Sequence, residues 1–463
     1  MLIRNAEIAS GRCADVRIVG DVIAQIGDVG RGPPGELTID ANGAALLPGL
    51  HDHHFHLLAY AAARDSVRCG PPAVNSGDEL ADALRNRQSA SPGAWIRGIG
   101  YHHSVAGDID RDWLDRVAIA SPARIQDRSG RLWVLNSRAL EIVAPAGTGT
   151  PLEIVDDRFT GRLYDGDAWL RERIGKIVPP IGAASAFLLS RGVTGITDTT
   201  PGNGPAEFEL LRNAKAGGDL VQDLLVMGSA ELDGLNDIPG LRTGPRKIHL
   251  HETGLPGLDD LSDTIRQSHK RGRPVAIHCV TLTELVFALG AFHEAGAVRG
   301  DRIEHAAVAP PDILPSMAKL GLTVVTQPNF IRERGDAYLA DVDPADRPWL
   351  YRLRGFRDAG IRLAAGTDAP FGDADPWKAM QAVVTRLSAS GAVIGEDEAL
   401  TPEEALALFT GAPDDPGGPP RALHVGATAD LCLIDRPWRE ARADLSDIAV
   451  DKTIKAGRIV WSR

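Results

Sequence analysis

Cysteine is scarce in this 463-residue chain, which has only four. Cys13, Cys69, Cys279 and Cys432 stand far apart and form no CxxC pair. That spacing argues against a disulfide framework and a thiolate zinc site, and four free thiols suit a reducing cytoplasm. No run of 18 apolar residues occurs, so no membrane-spanning helix is expected. The start, "MLIRNAEIASGRC", lacks the apolar core of a signal peptide. Positive charge is also short: 50 Lys and Arg stand against 62 Asp and Glu, a formal net charge of −12. Nucleic acid is therefore not an expected partner. The acidity is scattered, without an acidic tail, and reads as solubility. No internal repeat or low-complexity tract is visible. Hydrophobic content of 43% and charged content of 24% are ordinary for a soluble globular enzyme. The length suits two domains or one large one.

Histidine is unevenly spent. The chain has 13, and "LLPGLHDHHFHLL" places four of them and an aspartate within six residues, His51–His56. A tract so rich in imidazole invites a metal reading.

The two ends look alike. "LIRNAEIA", "DVRIVGDVIAQIG" and "ELTIDANGAALLPG" alternate short apolar runs with turn residues, as do "ATADLCLIDR" and "DKTIKAGRIVWSR". The middle alternates strand-like and helix-like segments. With "LLPGLHDHHFH" as the first, the strands are "GVTGITDT", "LVQDLLVMG", "RKIHLHE", "PVAIHCV", "DRIEHAAV", "LTVVTQP" and "IRLAAGTDAP". Eight strand–helix units predict a parallel α/β fold, a (β/α)8 barrel. The first strand is not followed by the GxGxxG of a dinucleotide-binding open sheet. About 130 residues separate the first two strands, too many for a structureless loop. An inserted subdomain, roughly 58–180, is expected over the C-terminal face of the barrel.

Barrel enzymes carry their chemistry at the C-terminal ends of strands. His278 ends "PVAIH", His305 ends "RIEH" and Asp368 ends "RLAAGTD". On the first strand, alternation puts Asp52, His54 and His56 on one side and His51 and His53 on the other. One barrel mouth would thus gather His54, His56, His278, His305 and Asp368, a set that suits zinc or another borderline divalent metal. Any one of these histidines alone would be an ordinary hydrogen-bonded residue. Five ligand residues at the ends of four strands, in barrel order, are much harder to obtain by accident. Asp52 is expected to support the pair, and His51 and His53 to pack beside it. His102 and His103, in "GYHHS", suit the pocket and the insert surface equally. His269, His293 and His424 read as surface or helix residues.

Together these residues resemble the amidohydrolase superfamily. "PGLHDHHFH" is similar to its PGxxDxHxH first strand, and His278, His305 and Asp368 follow in its order. "GATADLCLIDR" and "SDIAVDKTIKAGRIVWSR" resemble its C-terminal β segment, and the opening resembles its N-terminal one. The resemblance implies that 1–48 and 411–463 form one composite β-sandwich beside a metal-dependent barrel of 49–410. It also implies a bridging ligand, a lysine carboxylated by CO2 on the fourth strand. Lys247 in "RKIHLHE" is the candidate, with His249, His251 and Glu252 as alternatives. Carbamate formation needs a neutral amine, which burial favours.

A narrower resemblance, through "GRLWVLNSRAL", "TGRLYDGDAWL" and "LTPEEALALFTGAP", is to the branch that includes N-substituted formamide deformylases. Two residues depart from that branch: Arg131 stands where it usually has His, and Asp165 where it usually has Glu. The implied reaction is hydrolysis of an amide, formamide or cyclic amide C–N bond of a small molecule by a metal-activated hydroxide, with Asp368 as base and then acid. The cofactor is one or two divalent ions, zinc foremost. The alternatives are a one-metal deaminase of an aminated heterocycle and, ranked lower, a metal-free scaffold. Lactone or ester hydrolysis is also chemically open. Tyr101, Arg131, Trp133, Tyr164 and Asp165 from the insert, and Arg332 and Arg334 in "QPNFIRER", are candidates to bind substrate. No membrane partner is expected, and a homo-oligomer is left open.

Overall fold

Eight segments form a parallel sheet in sequence order: Leu50–Phe55, Val193–Asp198, Asp223–Gly228, Leu241–His249, Val275–Cys279, Arg302–His305, Thr323–Thr326 and Arg362–Ala365. The structure is a computed structural model, and it describes residues 1–463 apart from 10, 31, 119, 146–149 and 176, and the side chains of 9 and 168. Each strand is parallel to the next. Several are buried at every position, including the first, second, sixth and seventh. Both faces of a parallel sheet in this class of fold are covered, which accounts for that burial. Backbone bonds from Asp368 N to His54 O (2.8 Å) and from His56 N to Ala369 O (3.0 Å) tie the end of the eighth strand to the first. The fold is the (β/α)8 barrel expected from the sequence.

The helix Leu282–Ala295 illustrates how the outer layer forms. Thr281 and Glu284 make a reciprocal capping box at its start. Leu285, Ala288, Leu289 and Phe292 recur at helical spacing and are buried. Gly296, at φ 79°, ends it. Emptying the Phe292 site with alanine would cost about 3–5 kcal/mol.

The chain ends pair with each other. Leu2–Ala9, Arg12–Val19, Val22–Gly27 and Thr38–Asp40 make one sheet. Leu431–Ile434, Val450–Lys455 and Arg458–Ser462 make a second with Leu46–Pro48. Ile3, Val16, Ile18 and Leu46 share a core with Leu431, Leu433 and Ile454. The sequence read Leu46–His56 as one barrel strand, and this is corrected: Leu46–Pro48 belongs to the sandwich and only Leu50–Phe55 to the barrel. The switch falls at Gly49, where a Cβ would sit 2.4 Å from the Thr194 side chain. Only glycine lets the two strands approach that closely.

The chain divides into two compact units, Met1–Leu57 with Ile181–Arg463, and Leu58–Pro180. The second unit has its own six-stranded sheet, ordered Leu152–Val155, Arg158–Tyr164, Leu132–Leu135, Ala123–Asp127, Ile96–Tyr101 and Val67–Arg68. It has its own apolar interior around Leu80, Leu84, Ile96 and Ile125. Among the described residues no helix is long and apolar enough to cross a membrane.

Candidate metal centre

Strand register sets the levels of the barrel interior. Lys247, Ala276 and Arg302 are paired side by side on strands four, five and six. Two residues further along, His249, His278 and Glu304 are paired in the same way. Partners on parallel strands point to the same face. By that rule His305, paired with Cys279, would face away from Glu304. It does not, because His305 (φ 70°) and Ala306 (φ 47°) leave the extended conformation. The His305 ring comes to lie 4.8 Å from the His54 ring and 4.4 Å from that of His278, centroid to centroid. Asp368 is also left-handed, at φ 56°. Such backbone costs about 1–3 kcal/mol per non-glycine residue and gathers where function requires it.

Three acceptor atoms converge between strands one and eight. Asp368 Oδ1 lies 3.1 Å from His56 Nε2 and 3.4 Å from His54 Nε2. It is buried and makes no hydrogen bond to either. The opposite nitrogens are engaged: His56 Nδ1 lies 2.9 Å from Thr200 Oγ1, and His54 Nδ1 lies 2.5 Å from Glu304 Oε2. When each Nδ1 carries the proton for its partner, both Nε2 atoms present lone pairs to a carboxylate oxygen. Lone pairs gathered around a point repel unless a cation sits among them. The ligand atoms of His54, His56 and Asp368 all lie within 4.8 Å of one another. Among the described residues, Lys247 Nζ and His305 Nδ1 are likewise buried without a hydrogen-bond partner. Orphaned buried polar atoms demand an explanation, and an ion is one. The donor set, imidazole nitrogens and a carboxylate, fits a divalent transition metal.

Burial and Lys247 lower the His54 pKa, but the Asp368 and Glu304 carboxylates outweigh them and raise it, so a cation bound there would displace a proton. Burial, and then neighbouring cationic groups, holds His278 far below the ordinary histidine range. Burial pushes His305 down to about 3. Both rings are therefore neutral at pH 7, as a ligand must be. Burial alone would raise the pKa of Asp368, but His54, His56 and His305 outweigh it and keep the carboxylate ionised. Burial pushes the Lys247 amine down to about 8, against the pull of Glu304 and Asp368.

The remaining expected residues separate into groups. Asp52 lies beneath the pair, accepting from Thr367 Oγ1 at 2.6 Å and from the His54 and Thr367 amides at 3.1 Å. His51 and His53 pack ring against ring at 4.6 Å. His249 lies against His278 at 4.0 Å and His251 against His249 at 4.3 Å, while Glu252 accepts from Thr283 Oγ1. In the insert, Tyr101 and Trp133 are interior residues, with their polar tips satisfied by Gly107 O and Asp167. Tyr164 is exposed, and the exposed Arg131 and Asp165 grip each other through two bonds of 2.8 and 2.6 Å. Arg332 donates to Ser388 O, and Arg334 donates to Phe371 O from above the Phe330 ring. His102 caps the short helix that follows it, and His269 pairs with Asp301.

Sequence reasoning missed Glu304, Arg302, Thr200 and Phe371. Phe371 is an exposed ring packed edge-on against His56 at 5.4 Å. Glu304 directly precedes His305 and shares a strand face with Arg302, which was the one available signal.

A family model described as the amidohydrolase family matches residues 37–461. The chain belongs to the amidohydrolase family. It is a metal-dependent hydrolase of C–N bonds other than peptide bonds. It is similar to the N-substituted formamide deformylase of Arthrobacter pascens, at 27% identity over an alignment of 536 positions that covers 100% of this chain and 98% of the relative. Two uncharacterized metal-dependent hydrolases share the fold. That of Pyrococcus furiosus has a TM-score of 0.76 at 23% identity, covering 94% of this chain and 98% of its own. That of Pyrococcus horikoshii OT3 has a TM-score of 0.73 at 21% identity, covering 88% and 91%.

Proposed function

We propose that this amidohydrolase cleaves an N-substituted formamide, or a related small amide or cyclic amide, at a two-metal centre. The observation that carries the reading is the convergence of His54 Nε2, His56 Nε2 and Asp368 Oδ1 without hydrogen bonds among them. His54, His56 and Asp368 would hold one cation and His278 and His305 the other, with a carbamate on Lys247 between them. Zinc suits this nitrogen and oxygen set. When bound, such a cation lowers the pKa of a coordinated water and polarises a carbonyl.

The chain's own residues supply the rest. Asp368, ionised in its ring of imidazoles, takes a proton from the attacking water at its carboxylate and returns it to the departing nitrogen. His278 and His305 stay neutral and serve as ligands rather than acids. Thr367 and Asp52 fix the backbone of strands one and eight that carries the ligands. The buried amine of Lys247 can lose its proton near pH 8, and the neutral form is the one that adds CO2. Full-length similarity to a formamide deformylase supports a formyl substrate, and the exposed Phe371 ring offers an apolar surface for its N-substituent.

The test is a panel of N-formyl, N-acyl, cyclic amide and aminated heterocyclic compounds, assayed with zinc-loaded protein. Release of formate from an N-substituted formamide is expected to be the fastest reaction. Ammonia from a heterocycle, with no formate released, would overturn the substrate assignment.

A further inference from the structure

Glu304 is a fully buried carboxylate that the proposed chemistry does not use. Both its oxygens are engaged. Oε1 accepts from Arg302 Nε, and Oε2 accepts from Arg302 Nη2 at 3.0 Å while facing His54 Nδ1 at 2.5 Å. Arg302 is itself 1% exposed, and its Nη2 also donates to the His53 carbonyl at 2.7 Å. A carboxylate on strand six is thus anchored to the backbone of strand one and aimed at the far side of the His54 ring.

We propose that Glu304 is a positioning residue for the metal centre: it accepts a hydrogen bond from the Nδ1–H of His54 and so fixes the ring with its Nε2 lone pair turned toward Asp368. The role rests on His54 being a ligand. An imidazole has two nitrogens, and only the one without a proton can bind a cation. Nothing in the ring itself chooses between them. A strong acceptor at Nδ1 makes the choice, locks the ring plane and raises the basicity of Nε2. Arg302 makes that acceptor dependable. Two of its N–H groups hold the carboxylate in place. Glu304 is badly placed to be a ligand itself, because Oε2 faces Nδ1 rather than the cluster at Nε2. A plain Arg302–Glu304 ion pair would leave the contact with His54 without consequence, and the two roles differ in what they predict.

The experiment compares zinc affinity, measured by competition with a coloured chelator, in wild type, Glu304→Gln and Glu304→Leu. Circular dichroism and melting check that each variant is folded. Loss of such an outer partner typically weakens metal binding by about 10–100-fold. Glu304→Gln, which keeps an acceptor but no charge, should fall near the lower figure and Glu304→Leu near the upper. Lower melting temperatures with zinc affinity unchanged within about twofold would mean a structural ion pair and overturn the proposal. If the variants fail to fold, nitrogen-15 spectra of histidine-labelled, zinc-loaded wild type decide. A proton on His54 Nδ1 with metal at Nε2 supports it, and metal at Nδ1 overturns it. A wild type that binds no zinc would instead overturn the proposed function, which separates the two failures.

Discussion

Asp368 meets His54 twice. Its backbone N–H donates to the His54 carbonyl at 2.8 Å, and its Oδ1 lies 3.4 Å from His54 Nε2. The first contact joins strand eight to strand one and closes the barrel. The second assembles the ligand cluster. One residue therefore links barrel closure to site geometry, and its left-handed backbone lets the amide and the carboxylate serve both ends at once.

Asp368→Asn separates those roles. The backbone bond remains, so the barrel should stay folded with a melting temperature near that of wild type. The amide cannot accept a proton and is a poorer ligand. General acid–base catalysis contributes about 10²–10⁴-fold, and turnover should fall by at least the lower figure. Steady-state kinetics under saturating zinc make the check. A variant within a few-fold of wild type would show that Asp368 is not the base.

Metal removal should be reversible. We expect purified protein to carry one to two equivalents of a divalent ion per chain by elemental analysis. A strong chelator should abolish activity, and added zinc should restore it, because the emptied site keeps its fixed donors. Undiminished activity in protein shown to be metal-free would exclude the cation from the reaction.

The strand order and the HxH pair were legible because both follow from period-two alternation and from the placement of chemistry at strand ends. What alternation could not show is where it breaks. His305 reaches the cluster only through the positive φ at 305 and 306, and Glu304 was overlooked beside it because neighbours on a strand ordinarily face apart. Alternation did not divide the run Leu46–Phe55 between two sheets; the family resemblance placed a boundary at 48/49, and the crowding at Gly49 is the structural reason for it. Tyr101 and Trp133 look like pocket residues in sequence because an aromatic ring with a polar tip suits a pocket and a core equally. Where their tips find partners is a tertiary fact. Arg131 and Asp165, both departures from the resembled branch, grip each other, a pairing that their 34-residue separation conceals.

Glu398 offers a test of how strand eight is held. Its carboxylate accepts from the Leu353 and Gly355 amides and from Arg352 Nε, all at 2.8 Å. These bonds pin the start of the helix Arg354–Asp358, which leads into the strand that delivers Asp368. Burial alone would raise the Glu398 pKa, but the two amides and Arg352 outweigh it, and the result lies below the ordinary value. A lowered carboxyl pKa stabilises the fold above the unfolded-state value near 4.5 and is lost as pH falls through the folded one. Glu398→Gln should therefore cost about 1.5–3 kcal/mol at pH 7. The gap between variant and wild type should narrow below pH 4.5. Melting curves at several pH values make the measurement, and a pH-independent gap would mean that charge is not what Glu398 supplies.

Lys247 separates a two-metal site from a one-metal site. Its amine is buried, lacks a hydrogen-bond partner and has its pKa pushed down to about 8. A bare ammonium there would repel any cation nearby, whereas a carbamate would offset the repulsion between two, in a place where water screens poorly. Lys247→Ala should therefore lose metal and activity together, and short carboxylic acids should restore part of the activity by filling the vacated position. Lys247→Arg should not rescue, because a guanidinium stays protonated and cannot add CO2. Carboxylation in metal-free protein should weaken as pH falls below about 8, where the reactive neutral amine becomes the minority form. In a one-metal site, Lys247→Ala would keep the metal held by His54, His56 and Asp368 and much of its turnover. Intact-protein mass spectrometry under carbon dioxide, combined with metal analysis of the alanine variant, distinguishes the two. An unmodified lysine together with a fully loaded alanine variant would reject the bridge.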